Sequence, residues 1–240
     1  MTLRKPWPRN RLLLALPARV AKAIQPNLEA VELPLRDVLI DADTPLSHVY
    51  FPDEGVISVL AVYPDGTLIE TATIGREGCT GFQAFFRARM SSMRLYVQVP
   101  GTATRMTRAN FIAALDEHTA FAEIMQGYVQ VFLEQVMISA GCNGTHGLTE
   151  RLARWLLMHH DRTDGDVLPL THDILAEMLG VQRPSVSHAV KRLNASGAIQ
   201  SRRGNLLVKD RARLKRHSCE CYDLLRLRII HHLPKTYPEP

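Results

Sequence analysis

The stretch Leu170-Thr-His-Asp-Ile-Leu-Ala-Glu-Met-Leu-Gly-Val-Gln-Arg-Pro-Ser-Val-Ser-His-Ala-Val-Lys-Arg-Leu-Asn-Ala-Ser-Gly197 has the pattern of two amphipathic helices joined by a short turn. Thr171 is placed to cap the first helix, and Gly180 can adopt the left-handed conformation that ends it. The second helix begins near Arg183, and Pro184 is tolerated there because the first turn needs no intrahelical N–H. Two helices joined by a glycine-containing turn predict a helix-turn-helix.

A β-hairpin is predicted directly after the second helix, from Ala198 to Lys209. Its tip, Arg202-Arg203-Gly204-Asn205, combines a glycine turn with two guanidinium groups. The segment 171–217 holds ten Lys or Arg and three Asp or Glu, and it carries all of the positive excess in a 240-residue chain of net charge +5. Local basicity of this kind is typical of a polyanion-binding surface. We therefore predict a winged helix-turn-helix; a helical hairpin used only for protein contacts is the alternative.

The polar side chains of this segment divide into two groups of candidate DNA contacts. The first turns of the second helix enter the major groove in such domains. This places four candidates at base edges: Arg183, Ser185, Ser187 and His188. Four others are candidates for the phosphate backbone: Thr171, Lys191, Arg202 and Arg203. Ser185 and Lys191 can exchange these roles.

The N-terminal half has strand-like segments separated by turn signals. They are rich in β-branched and aromatic residues, and they cover Val49–Phe51, Val56–Tyr63, Leu68–Ile74 and Leu95–Val99. This pattern predicts an antiparallel β-roll, followed by a helix from about Arg108 to Leu115 with Thr107 as its cap. The basic and then apolar start of the chain predicts a short amphipathic helix packed on the body, because its apolar run is too short for a signal peptide.

A long helix is predicted over residues 119–142, and its apolar residues form two stripes. The first has heptad spacing and consists of Phe121, Ile124, Tyr128, Val131, Gln135 and Ile138. The second consists of Met125, Val129, Phe132 and Val136. Two stripes on one helix need two packing partners, so we predict that one packs on the roll and the other on the helix of a second chain. The alternative is that both belong to the core of one chain.

These elements give an α+β chain with four segments. Residues 1–118 form the roll, 119–142 the dimerisation helix, 143–217 the winged helix-turn-helix and 218–240 a tail helix. The run Cys142-Asn-Gly-Thr-His-Gly147 contains two glycines and is predicted to break the long helix and serve as a hinge. Another amphipathic helix is predicted from Leu148 to His160, where a cationic His159-His160 pair would suit the helix end.

The overall composition excludes several classes of protein. Hydrophobic residues make up 46% and charged residues 22%, which is ordinary for a globular domain. No apolar run is long enough to span a bilayer, so we expect no membrane association and a cytoplasmic location. Four cysteines do not make a disulfide framework for a chain of this length. The sequence has no Walker loop, nucleophile elbow or metal-binding helix motif, and we predict that the chain is not an enzyme.

The C-terminal motifs resemble those of the Crp/Fnr family of transcription regulators. They are Glu150-Arg-Leu-Ala-Arg-Trp-Leu-Leu-Met158, Leu168-Pro-Leu-Thr171, Met178-Leu-Gly-Val-Gln-Arg-Pro-Ser-Val186 and the tail motif Cys219-Glu-Cys-Tyr222. The order of elements is similar over nearly the whole chain. The resemblance implies a homodimeric regulator that binds double-stranded DNA and contacts RNA polymerase. The alternative is a small-molecule or redox sensor that acts mainly through protein contacts and binds DNA weakly.

The recognition helix departs from the Arg-Glu-x-x-x-Arg set by which the family reads bases. Arg183 matches the first arginine, but Pro184 stands at the glutamate position and His188 at the second arginine. A glutamate accepts a hydrogen bond from cytosine, and a proline side chain cannot. We therefore expect an operator different from the usual one of the family.

The roll resembles a cyclic-nucleotide-binding domain that lacks the usual ligand pairs. Gly81-Phe82 stands where the family has Gly-Glu, and Met93-Arg94 stands where it has Arg-Ser. The carboxylate for the ribose is missing, and a shift by one position turns a strand side chain to the opposite face. These four residues form a degenerate effector pocket, which argues against cyclic AMP and leaves the effector unknown.

No cofactor is assigned from the sequence. An iron–sulfur centre near the N-terminus needs several thiols, and none precedes Cys79. Haem would have only His48 as a candidate ligand. The tail pair Cys219-x-Cys221 with His217 has ligand-like spacing, but only the remote His231-His232 could complete it, so no metal site is predicted.

Overall fold

The structure is a computed structural model that describes residues 7–234 and residue 236. Residues 1–6 of the predicted N-terminal helix and residues 235 and 237–240 of the predicted tail lie outside the described residues. The chain divides into two compact units. Of the described residues, the first holds 7–59, 73–133, 228–234 and 236, and the second holds 60–72 and 134–227.

Two buried side chains, Asn10 in the segment and Asp53 in the roll, help to fix the N-terminal segment to the first unit. Two short helices, α1 (Arg11–Leu14) and α2 (Ala18–Ile24), replace the single helix predicted, because Pro17 lies between them. Asn10 Oδ1 caps α1, while its Nδ2 donates to Pro52 O at 2.9 Å and to Gly78 O at 2.8 Å. The packing of this segment on the body is thus confirmed.

The strands of the first half form an antiparallel roll, as predicted. They are β1 (Glu29–Leu33), β2 (Val38–Ile40), β3 (Thr44–Pro45), β4 (His48–Pro52), β5 (Val56–Val62), β6 (Leu68–Ile74), β7 (Met90–Ser91), β8 (Arg94–Val99) and β9 (Gly101–Thr107). The sheet orders are β1-β9-β4, β2-β8-β5-β6 and β3-β7. Strand β9 pairs antiparallel with both neighbours, with Arg105 opposite Glu29 and also opposite Tyr50.

Two helices follow the roll. Helix α3 (Arg108–Glu117) is capped by Thr107, whose Oγ1 accepts from Asn110 N at 3.1 Å, as predicted. Helix α4 (Thr119–Thr145) runs three residues past the predicted end at 142, and the predicted break comes later in the glycine-containing run, at His146 and Gly147. A glycine inside a helix costs only about 1 kcal/mol. The last turn is also closed by His146 N, which donates to Cys142 O at 3.1 Å.

The heptad stripe of α4, which was the candidate dimer seam, packs mostly inside the chain. Four of its six residues are buried: Phe121, Tyr128, Val131 and Gln135. The other two, Ile124 and Ile138, are half-buried. Tyr128 shows why, because its ring packs edge-on against Phe82 and its hydroxyl donates to Cys79 O at 2.8 Å. A heptad pattern indicates a packing face but does not identify the partner, and here these residues meet their own chain.

The C-terminal half contains the predicted helix-turn-helix and hairpin. Its elements are α5 (Leu148–His160), β10 (Val167–Leu168), α6 (His172–Leu179), α7 (Arg183–Ala195), β11 (Ile199–Arg202), β12 (Asn205–Val208), α8 (Arg211–His217) and α9 (Cys221–His232). The small sheet has the order β10-β12-β11. Within the described ranges, no helix has both the length and the apolar composition needed to cross a membrane.

One expectation for α5 is wrong. His159 is fully buried, and burial together with the charge of Arg162 lowers its pKa to about 3. The side chain is therefore neutral at neutral pH and stacks on Trp155 with ring centroids 3.4 Å apart. It belongs to the core and does not act as a cation on the helix dipole.

Candidate DNA interface

The two helices of the candidate interface are joined as the sequence predicts. Thr171 Oγ1 accepts from Ile174 N at 3.2 Å and caps α6. Gly180 has a φ of +63° and ends this helix, because the left-handed conformation suits a residue without Cβ. Helix α7 then begins at Arg183 with Pro184 in its first turn.

Helix α7 buries one face and presents the other. The buried residues are Val186, Ala189, Val190 and Leu193. With 3.6 residues per turn, the opposite face carries Pro184, His188 and Lys191, all of which are exposed. Ser185 and Arg192 lie beside this face and are also exposed. His188 and Lys191 are therefore one helical turn apart on the most outward part of the helix.

Two of the predicted base-edge residues have partners on α6. Arg183 Nε lies 2.9 Å from Asp173 Oδ1 in an ion pair whose side chains are 64% and 72% exposed. Such an exposed pair contributes little stability and can be exchanged for another anion. Ser187 differs, because its half-buried hydroxyl forms a hydrogen bond of 2.9 Å with His172 Nδ1. Ser187 thus faces α6, while Arg183, Ser185 and His188 are accessible.

The wing is a tight antiparallel hairpin. Ile199 pairs with Val208 at its base and Arg202 with Asn205 at its tip. Gly204 has a φ of +75°, which a side chain would strain. Arg202 and Arg203 are both exposed, and Arg202 Nη2 donates to Gln200 Oε1 at 3.3 Å.

Two clefts bring these residues together. A cleft of about 470 Å³ lies among the starts of α6 and α7 and the wing, and its lining includes Thr171, His172, Asp173, Arg183, Arg202 and Arg203. A second cleft, of about 730 Å³, is lined among others by Ser185, His188, Arg192, Arg216 and His217. Arg192 and Arg216 were not among the predicted contacts. Arg192 lies four residues after His188, and that helical spacing could have identified it.

The residues of the predicted degenerate effector pocket make contacts within the chain. Arg94 donates to both oxygens of Asp41, at 2.8 and 3.2 Å, and these hydrogen bonds lower the pKa of the Asp41 carboxyl. Gly81 has a φ of +69°, and Phe82 packs on Phe132 with ring centroids 4.3 Å apart. Met93 is half-buried immediately before β8.

Comparison with known proteins gives matches in both sequence and fold. Residues 150–217 match the family model of the Crp-like helix-turn-helix domain. No curated protein sequence matches the chain. Its structure is similar to that of FixK2 from Bradyrhizobium japonicum, with a TM-score of 0.69, 16% identity and coverage of 80% of this chain and 98% of that one.

Two further solved structures are similar at comparable levels. The c-di-GMP-responsive global regulator CLP of Xanthomonas campestris has a TM-score of 0.62 and 16% identity, with 80% of this chain and 99% of that one covered. A CRP-family transcriptional regulator of Thermus thermophilus, TTHB099, has a TM-score of 0.64 and 19% identity, with 78% and 96% covered. Both of these structures are of regulators, and at identities of 16% and 19% the similarity is one of fold.

Proposed function

We propose that this chain, which has the fold of Crp/Fnr-type transcription regulators and a Crp-like helix-turn-helix domain, binds specific DNA sequences as a homodimer. The observation that carries the proposal is the exposed set of cationic and polar side chains around one cleft. This cleft joins the starts of α6 and α7 to the wing. Contact with RNA polymerase, control by an unidentified effector in the roll and a cytoplasmic location complete the proposal.

The exposure of each side chain and the direction in which it points assign it to DNA bases or to the phosphate backbone. Arg183, Ser185 and His188 reach base edges, because they are exposed near the start of α7. Ser187 is a candidate that acts with His172, since the two share a hydrogen bond. The phosphate backbone is contacted by Thr171, Lys191, Arg202 and Arg203, with Arg192 and Arg216 added from the structure.

The dimer forms through the face of α4 that its own chain leaves exposed. Leu133 and Met137 are 53% and 54% exposed, and such large apolar side chains are usually covered. With Gln126, Gln130 and Ala140 they repeat at alternating spacings of four and three residues, which is a heptad seam. Pairing two copies along this seam would let two recognition helices read half-sites one DNA turn apart.

DNA selection with the purified full-length protein tests the main proposal. Genomic fragments bound at low salt should share a near-palindromic site. The R183A/H188A variant should then lose discrimination by about 10- to 100-fold or more, since a good base contact contributes about 1–3 kcal/mol. Arg19→Ala, an exposed arginine on α2, is the matched control and should bind as the wild type does.

Weak binding that does not depend on sequence, unchanged by R183A/H188A, would overturn specific recognition. That result would favour the alternative, a sensor that acts mainly through protein contacts.

The oligomeric state is tested separately by light scattering after gel filtration. The L133E/M137E variant should be monomeric, because two carboxylates would be buried at the proposed seam. Leu227→Glu changes a leucine on α9 that is 62% exposed, and this control should remain a dimer. A wild-type monomer, or a dimer that survives both changes on α4, would refute this seam.

A further inference from the structure

Four side chains with metal-binding atoms meet in the second compact unit. They are Cys142, His146, Cys219 and Cys221, and one ligand atom from each lies within 4.8 Å of all the others. The three thiols are buried and unoxidised, and His146 is half-buried. Three thiols and one imidazole form a ligand set typical of structural zinc sites.

The chain brings these residues together from two distant segments. Cys142 and His146 are four residues apart at the end of α4, so they lie on the same helix face. Cys219 and Cys221 lie at the junction of α8 and α9, 77 residues after Cys142 in the case of Cys219. The sequence-based expectation considered the two tail cysteines only with His217 and the remote His231-His232. The Cys-x-x-x-His spacing at the end of α4 is the signal that would have completed the set.

The distances fit a single ion. Cys142 Sγ and Cys219 Sγ are 3.5 Å apart, and Cys221 Sγ is 3.7 Å from His146 Nδ1. Tetrahedral ligands at the Zn–S distance of about 2.3 Å are about 3.8 Å from one another. We infer that Cys142, His146, Cys219 and Cys221 bind one Zn²⁺ ion in a tetrahedral Cys₃His site. Each thiol releases its proton to solvent on binding, the neutral imidazole contributes its Nδ1 lone pair, and no group changes oxidation state.

The surroundings of His146 support Nδ1 as the ligand atom. On the other side of the ring, His146 Nε2 lies 3.2 Å from Glu220 Oε1. Histidine ligands commonly donate their second ring N–H to a carboxylate, which fixes the tautomer and orients the ring. Thr145 Oγ1, 3.2 Å from Nδ1, donates to Gly141 O and so keeps a partner when Nδ1 binds the metal.

A buried arginine next to the cluster gives a second, independent indication. Arg154 is only 5% exposed, and its charge acts on the Cys142 thiol. Among the described residues, its Nε has no hydrogen-bond partner, and its Nη1 donates to Met158 Sδ at 3.4 Å. Burying an unpaired cation is costly. Three thiolates around Zn²⁺ have a net charge of −1, which supplies the missing counter-charge.

The zinc site would also stabilise the candidate DNA interface, and this consequence rests on the proposed function. Gly147 follows the ligand His146, and Ser218 precedes the ligand Cys219. Both line the cleft that contains Ser185 and His188. Zinc therefore ties together two segments that form the wall of this cleft, so losing the ion should disturb the position of the recognition helix.

Metal binding is tested on the full-length protein without DNA, so that its outcome does not depend on the proposed function. After reduction and chelation, titration with Zn²⁺ alone should give one ion per chain and raise Tm, because the ion binds the folded state. Titration with Co²⁺ should give the charge-transfer and d–d absorption of a tetrahedral thiolate site. No metal uptake by the reduced wild type would overturn the inference.

Variants identify the ligands. Cys221→Ser and His146→Gln should lose the Co²⁺ spectrum and the Zn²⁺-dependent rise in Tm, whereas Cys79→Ala, a buried thiol outside the cluster, should keep both. Glu220→Gln should keep one ion per chain but bind it about 10- to 100-fold more weakly, since it changes only the partner of a ligand.

Two results would contradict the site. One is a Cys142–Cys219 disulfide that remains the stable form in reduced, zinc-containing buffer, detected as a loss of two hydrogens in the intact mass. The other is unchanged metal binding in both ligand variants. Loss of DNA binding alone, with zinc uptake intact, would count against the proposed function and not against the metal site.

Discussion

The roll and the winged helix-turn-helix both carry cationic side chains, but these differ in whether the protein itself supplies their partners. In the roll, Arg94 is held by both oxygens of Asp41. In the C-terminal domain, Lys191 and Arg203 are exposed, and no ion pair engages them among the residues that the structure describes. An arginine is therefore available to a ligand where its hydrogen bonds are not yet made or where, as for Arg183, they are made to an exposed partner.

Glycines show the same difference in packing. A Cβ at Gly101 in the roll would lie 2.3 Å from Glu54 O, whereas a Cβ at Gly204 in the wing would meet nothing within 4 Å. The roll is therefore closed against its own backbone at this point, and the tip of the wing is open to solvent and to a partner.

The largest expected effect is on the packing of the roll. Gly101→Ala should reduce the free energy of unfolding by about 3 kcal/mol, because a backbone carbonyl has to move. Gly204→Ala should cost about 1 kcal/mol, from the positive φ alone. Thermal unfolding of the two variants measures the difference. Equal shifts in Tm would contradict the inference that Gly101 is tightly packed and Gly204 is not.

A smaller effect is expected from pH, and it falls on the C-terminal domain. His159 has a folded pKa of about 3, so the unfolded chain binds this proton more readily and stability rises with pH between the two pKa values. Lowering the pH from about 7 to about 5 should therefore cost about 2 kcal/mol. Urea unfolding of the wild type and His159→Gln should show a flatter pH profile in the variant. Parallel profiles would exclude His159 as the source.

The helix-turn-helix was predictable because its signals are local. The cap at Thr171, the left-handed Gly180 and the proline near the start of α7 each determine backbone geometry within a few residues. The strands of the roll followed from their β-branched runs for the same reason. Side-chain partners were harder to predict, because they lie on other elements of the fold. Ser187 forms a hydrogen bond with His172 on α6, and Arg94 donates to Asp41, 53 residues away.

The proposed zinc site and the dimer face could not be predicted from the sequence, because both depend on tertiary structure. Cys142 and Cys219 are 77 residues apart, and only the folded chain places their sulfurs 3.5 Å from each other. On α4, periodicity correctly indicated apolar stripes but could not show that the roll would cover Tyr128 while Met137 stayed exposed. Periodicity describes one element, and burial depends on what that element meets.

A substitution in the wing tests whether its exposed arginines bind DNA phosphates. Arg203→Ala should weaken DNA binding about tenfold for every sequence and reduce the slope of log K against log salt by about 0.9, since one phosphate contact is lost. Arg19→Ala is again the control. Electrophoretic titrations at several salt concentrations measure both quantities. A loss confined to one sequence would assign Arg203 to base reading.

The smallest effect is expected where the roll already satisfies its own arginine. Asp41→Ala should change stability by less than about 1 kcal/mol, because exposed ion pairs contribute little. Asp116→Ala, which breaks the exposed pair with Arg87, is the matched control. Cyclic AMP should raise the Tm of neither the wild type nor Asp41→Ala, since the resemblance to cyclic-nucleotide-binding domains implies a ribose-binding carboxylate at the position that Phe82 holds. A rise only in Asp41→Ala would mean that Asp41 alone blocks a competent Arg94, and a rise in the wild type would make the roll a cyclic-nucleotide sensor.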